Sequence, residues 1–220
     1  MAPRITFETE LNRLQKDIEE IGMAVQALYI KLFRALAEKK EEELLRIMES
    51  EHDIHVMQRG IESSCLNLIT KQQPIACDLR QITAALKSVN DISRIGDQCA
   101  DIAELLLRMH MKELAEFSKH LSDMIVRTGE QLSEAIEAFI QKDTGAATEV
   151  IKKDDFVDDM FNLVKDDLIR HLKEEGKDPD DCVDVLMITK HLEKIGDHAV
   201  NMAEWTLFRE TGKLNDIRLL

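Results

Sequence analysis

Leu11, Leu14, Ile18, Ile21, Val25, Leu28 and Leu32 recur in alternating steps of three and four, with polar residues between them. This is the seam of a helix packed at a shallow angle against its neighbours. It predicts a first helix from Thr6 to Ala37, about 45–50 Å long at 1.5 Å per residue. Lys39-Lys40-Glu41 makes a polar turn. A second helix then runs to Thr70 with Ile47, Ile54, Met57, Ile61 and Leu68 inward. Lys71-Gln72-Gln73-Pro74 interrupts the pattern, and Pro74 suits the first turn of the next helix. The third seam is Leu79, Ile82, Leu86, Val89, Ser93, Gly96, Ala100, Ala103 and Leu107, whose small central residues imply close helix approach.

The pattern falters at 109–112 and then starts again. Leu114, Phe117, Leu121 and Met124 open a fourth helix that closes at Asp143-Thr144-Gly145, and a fifth covers 146–175. Gly176-Lys177-Asp178-Pro179 stops the fifth and caps the sixth, with Asp178 as N-cap and Pro179 at the first helical position. The expected fold is all-α, with six long antiparallel helices in two tandem three-helix bundles, residues 1–110 and 111–220.

A near-repeat supports this division. Ser93-Arg94-Ile95-Gly96-Asp97-Gln98-Cys99-Ala100-Asp101-Ile102-Ala103-Glu104 returns 100 residues later as Glu193-Lys194-Ile195-Gly196-Asp197-His198-Ala199-Val200-Asn201-Met202-Ala203-Glu204. That period is far longer than a solenoid repeat, so a whole unit is duplicated. Pro74 and Pro179 stand 105 apart while Gly96 and Gly196 stand 100 apart, which predicts that the second copy lost about five residues at the start of its last helix.

Composition narrows the function. The net charge of −14 disfavours nucleic acid and anionic membrane as partners. No apolar run is long enough for a membrane span, and Met1-Ala2-Pro3-Arg4 lacks the apolar core of a signal peptide. Cys65, Cys77, Cys99 and Cys182 fall in apolar patterns without CxxC spacing and read as small hydrophobes in a reducing cytoplasm. The methionines, Met23 and Met187 among them, read as core filling. No P-loop, GxSxG, HExxH or Cys/His dyad occurs, so nothing points to an enzyme.

The candidate chemistry lies in four i,i+4 carboxylate pairs: Glu49/Asp53, Asp97/Asp101, Asp154/Asp158 and Glu193/Asp197. Residues four apart share a helix face, so like charges there repel. Two such pairs on neighbouring helices make a cluster that needs lysine or arginine, protons or cations. Hard multivalent cations take oxygen ligands, which makes metal binding the sharp reading against a merely solvated acidic face. Glu193 adds weight, because it stands at a seam position where Leu is the rule and needs a partner there. Glu49-x-x-His52 lacks the second ExxH of a di-iron bundle, and His52 and His198 read as exposed helical residues.

Gln73-Pro74-Ile75-Ala76-Cys77-Asp78-Leu79-Arg80, followed by Asp91-Ile92-Ser93-Arg94-Ile95-Gly96-Asp97, resembles the PhoU family of phosphate-signalling proteins over essentially the whole chain. The resemblance implies a cytoplasmic, non-enzymatic regulator that keeps phosphate uptake and the phosphate regulon low when phosphate is plentiful. Its implied partners are the ATPase subunit of the phosphate ABC transporter and a sensor histidine kinase. Some members hold multinuclear iron or zinc on E/D-x-x-x-D motifs, and others are metal-free. By resemblance the motifs are Glu49/Asp53, Asp154/Asp158 and Glu193/Asp197. The first copy departs from the pattern, with Ser93 for Glu and Asp101 for Asn, leaving Asp97/Asp101 one turn away. In the second copy His191 replaces Asp and Asn201 is retained. Unequal sites are expected, with metal weaker or absent in the first. A homodimer is the base-rate expectation. The competing readings are a carboxylate-bridged redox or storage bundle and a metal-free helical scaffold.

Overall fold

Each apolar seam becomes a helix. A computed structural model describes residues 3–174, 178–214 and 217–218. In it α1 spans Pro3–Glu38, α2 Glu41–Gln72 and α3 Ala76–Arg108. After a 3-10 turn at Leu114–Glu116 come α4 Lys119–Gln141, α5 Thr144–Lys152, α6 Asp154–His171 and α7 Pro179–Thr211. A two-stranded antiparallel hairpin, β1 Lys213–Leu214 and β2 Ile217–Arg218, closes the described chain.

Local chemistry explains the boundaries. Asp178 accepts from the Asp180 N–H with Pro179 next to it, the expected cap of the last helix. The stop expected at Gly176-Lys177 lies outside the described residues. The fourth helix starts at Lys119 and not at Leu114, because Ser118 is extended and its hydroxyl accepts from the His120 N–H. That hydroxyl in turn donates to buried Asp167 at 2.7 Å, and His120 Nδ1 lies 2.8 Å from the same carboxylate. The fifth expected helix is broken in two at Lys153. The Lys153 N–H is shared between the carbonyls of Glu149 and Val150, and the side chain reaches Glu134 on α4.

The first trio is α1–α3, and the second is α4 with the jointed α5–α6 and α7. One continuous hydrophobic cluster runs through both. Its centre is the α3–α7 contact, the most extensive in the molecule, and α1 packs on α4 as well. At that second contact the Tyr29 hydroxyl donates to the Ile125 carbonyl at 2.6 Å. Cys65 and Cys99 are core hydrophobes, and burial pushes their thiols up to about 12. Cys77, Met23 and Met187 are exposed, against expectation.

Across α3–α7 the copies exchange equivalent contacts. His198 Nδ1 lies 2.9 Å from Asp91 Oδ1, and His191 Nδ1 lies 2.8 Å from Gln98 Oε1. Adding 100 to one partner and removing it from the other turns the first pair into the second, so a pseudo-two-fold axis runs through the seam. His198 is therefore an inter-copy contact and not an exposed residue.

The same symmetry fixes how the second helices correspond. Gly96 faces Ile54 and Gly196 faces Val157, residues 103 apart. Leu44 and Ala147, Ile47 and Val150, and Ile61 and Val164 are likewise buried at that spacing. The second copy has thus lost three residues, not five. A two-residue error turns a helix by about 200°, onto its opposite face. Asp154 and Asp158 correspond to Glu51 and His55, and not to Glu49 and Asp53.

Candidate functional site

In the first trio Glu51 and His55 lie one turn apart on α2 and face Asp97 on α3. His55 Nε2 is 3.1 Å from Asp97 Oδ1 and 3.5 Å from Glu51 Oε1. Its Nδ1 is 3.1 Å from Ser93 Oγ and 3.2 Å from Gln58 Oε1. Gln58 Nε2 donates to Glu62 at 2.9 Å, so Gln58 presents its oxygen to the imidazole. That assigns the Nδ1 proton to the Gln58 side and leaves the Nε2 lone pair aimed at two carboxylates. Asp97 Oδ1 is buried, and the nearby imidazole does not meet it in hydrogen-bond geometry. Three atoms able to act as ligands therefore converge: His55 Nε2, Asp97 Oδ1 and a Glu51 carboxylate oxygen. Among the described residues these are the three ligand atoms that lie within 4.8 Å of one another.

Glu49, Asp53 and His52 are exposed on the other side of α2 and do not enter this set. Asp101 lies one turn beyond Asp97, half-exposed, with Oδ2 3.6 Å from His191 Nδ1. Partial burial pushes its carboxyl up; His191 opposes this, and the charges of Asp97 and Glu51 add to it.

The second set is Asp154 and Asp158 on α6 with Glu193 and Asp197 on α7. Partial burial pushes Asp158 up, and the charges of Glu193 and Asp197 push it further, against Lys190. Burial also raises Asp154, followed by Asp158 and Asp197, while the amide of Gln131 on α4 opposes the rise. Glu193 is half-buried and paired with Lys190, and Asp197 pairs with Lys194. These lysines supply part of the compensation that four carboxylates require. Asn201 donates to Asp91 at 3.2 Å, within the inter-copy seam.

Sequence reasoning missed Glu51 and His55. They form an i,i+4 pair like the others, and the buried positions of α2 and α5–α6, matched 103 apart, single them out.

A family model, the PhoU domain, matches residues 8–106 and again 121–206. The chain belongs to the PhoU family. It is 30% identical over 216 residues to the phosphate-specific transport system accessory protein PhoU homolog of Clostridium acetobutylicum, covering 97% of this chain and 98% of that one. A PhoU homolog 1 of Methanothermobacter thermautotrophicus is 32% identical over 213 residues, covering 95% and 96%. The phosphate transport system regulatory protein PhoU from Streptococcus pneumoniae superposes with a TM-score of 0.86 at 28% identity, over 96% of this chain and 100% of the other. PhoU from Pseudomonas aeruginosa gives 0.89 at 25% identity, over 94% and 100%. Among the described residues no helix is long and apolar enough to cross a membrane.

Proposed function

We propose that this PhoU-family chain is a cytoplasmic, non-enzymatic regulator of phosphate uptake that carries metal on its two ligand sets. Its relatives are named as accessory and regulatory proteins of phosphate transport over nearly their full length. By family resemblance it acts through contact with the transporter ATPase subunit and the sensor kinase, and by base rate it does so as a homodimer.

The observation that supports metal is the convergence of Glu51, His55 and Asp97 with a buried carboxylate oxygen left unbonded. The donor set fits a cation. Two carboxylates and an imidazole suit a borderline ion such as zinc or iron, and the all-carboxylate second set suits a harder one. A bound ion supplies positive charge that ties α2 to α3, and α6 to α7. The chain's own part is to hold the imidazole with Nδ1 donating, through Gln58 and Ser93, so that Nε2 faces the ion.

Elemental analysis of protein purified without chelator, together with co-purification with the transporter ATPase, tests the two halves of this reading. Bound metal that falls on His55→Ala, and ATPase capture that changes with phosphate, are the expected results. No ATPase association at either high or low phosphate overturns the adaptor role. Metal content unchanged by His55→Ala overturns the site.

A further inference from the structure

The two copies differ beneath their ligand sets. Val25 and Leu28 of α1 are buried in the first trio, and 103 residues on, at equivalent buried places, α4 carries Thr128 and Gln131. Replacing an apolar pair by two buried polar side chains costs desolvation unless each finds a partner. The Gln131 amide oxygen and the Thr128 hydroxyl have no hydrogen bond, and the amide nitrogen approaches Asp154 without meeting it in full hydrogen-bond geometry. Gln131 is only 2% exposed.

The position of that amide is specific. A Cβ at Gly196 would lie 3.2 Å from Gln131 Oε1 and 3.4 Å from Val157 Cγ1, so the glycine leaves the amide room beside the second set. Gly196 precedes Asp197, and Val157 precedes Asp158. The amide also stands close enough to Asp154 to act on its carboxyl. A cavity of about 220 Å³ between Arg127, Lys153, Phe156 and Val157 reaches Gln131 from outside, giving water a route to it. Buried polar atoms without a protein partner are characteristically met by ordered water or an ion.

We propose that Gln131 is a positioning residue for a hard divalent cation, of the Mn²⁺ or Mg²⁺ type, held by Asp154, Asp158, Glu193 and Asp197. Its amide N–H groups orient Asp154, and its amide oxygen holds a water molecule of the cation's shell. This rests on the metal reading above and adds to it. The oxygen-only set with an amide behind it selects a hydrated hard ion, whereas the imidazole-containing first set takes the borderline one. The first copy has Leu28 where the second has Gln131, so it cannot offer that support.

The test is Mn²⁺ titration of the full chain, with free Mn²⁺ counted by its electron paramagnetic resonance signal. Mn²⁺ binding lost in Asp158→Asn defines the second set. Gln131→Leu, which supplies the residue type of the equivalent Leu28, is expected to weaken that binding about 10–100-fold, the usual effect of removing an outer hydrogen-bond partner. Gln131→Met, closer in shape and lacking the amide, is expected to lose as much. The Zn²⁺-induced rise in melting temperature assigned to His55 should stay unchanged in both. Mn²⁺ binding by either variant at unaltered affinity overturns this inference alone. An unsubstituted chain that binds no Mn²⁺ overturns it together with the metal reading of the second set.

Discussion

His55→Ala separates the structural assignment of the first site from the one that spacing in the sequence suggests. A ligand that binds only the folded chain stabilises it by RT ln(1 + [L]/Kd), about 2.7 kcal/mol at a hundred times Kd. For a chain of this length each kcal/mol moves the melting temperature by about 2–4 °C, so Zn²⁺ should raise it by about 5–10 °C. Losing the imidazole removes one of three converging ligands. If affinity falls about 100-fold, as even outer-partner losses can cause, the same Zn²⁺ concentration sits at Kd. The stabilisation then shrinks to about 0.4 kcal/mol, about 1 °C. Glu49→Ala and Asp53→Ala remove exposed side chains on the opposite face and should keep the whole rise, with intrinsic changes within about 0.5 kcal/mol. Differential scanning fluorimetry in EDTA and in Zn²⁺ reads all four proteins. A full Zn²⁺ response in His55→Ala, or its loss in Glu49→Ala or Asp53→Ala, refutes the assignment.

In metal-free protein, Asp158→Asn should raise stability at neutral pH, measured by urea unfolding. The folded carboxyl sits above its unfolded value, through burial and then the charges of Glu193 and Asp197. Stability is therefore lost as pH rises through that window, and acidification restores it in the unsubstituted chain but not in the variant. Asp167 has the opposite sign. Burial raises its carboxyl, but hydrogen bonds from Ser118, His120 and Arg170 outweigh it and hold the group below its ordinary value. Its contribution is present above the usual Asp range and disappears as pH falls through the depressed value, so Asp167→Asn should flatten the acid limb of a stability–pH curve. Gly60→Ala should stabilise by about 1 kcal/mol, since nothing lies within 4 Å of the new Cβ and helix propensity improves. Gly129→Ala places a Cβ 2.8 Å from Tyr29 Cε1, on a ring tethered by its hydroxyl, and overpacking of about 1–3 kcal/mol should outweigh the same gain. A Gly129→Ala chain with an unfolding midpoint above the unsubstituted one contradicts that balance.

The helices were legible because their seams are unbroken. The steps of three and four from Leu11 to Leu32, and from Leu79 to Leu107, leave no other periodicity. Glu193 of the second copy stands out in the sequence too, since it interrupts a seam beside Gly196 and Asp197, which recur, while its own counterpart is Ser93. The first site was not legible. Pro74 and Pro179 lie in a connection whose length differs between copies and so misplace its register, whereas the buried residues of α2 carry the true spacing. The interruption at Lys153 has no glycine or proline to announce it. That His55 faces Asp97 depends on which face of α2 meets α3, a property of packing and not of either helix. Gln131 is, with Thr128, one of two polar residues in an apolar seam, and only its place beside Gly196 and the second set distinguishes it.

The exchanged contacts across α3–α7 give the chain the geometry of a dimer whose halves are covalently joined. In an assembly of two identical subunits, a residue altered on one side of the axis alters on the other, so Asp91 opposite His198 would demand a second such pair. Tethering removes that constraint. A short connection between 109 and 118 holds the halves at an effective concentration of order millimolar, so assembly survives the weakening of either contact. One pair could become Asp91 with His198 while its mirror image became Gln98 with His191, and likewise one ligand set could acquire an imidazole while the other kept four carboxylates. Joining the halves end to end gave each the freedom to specialise without having to hold the other in place.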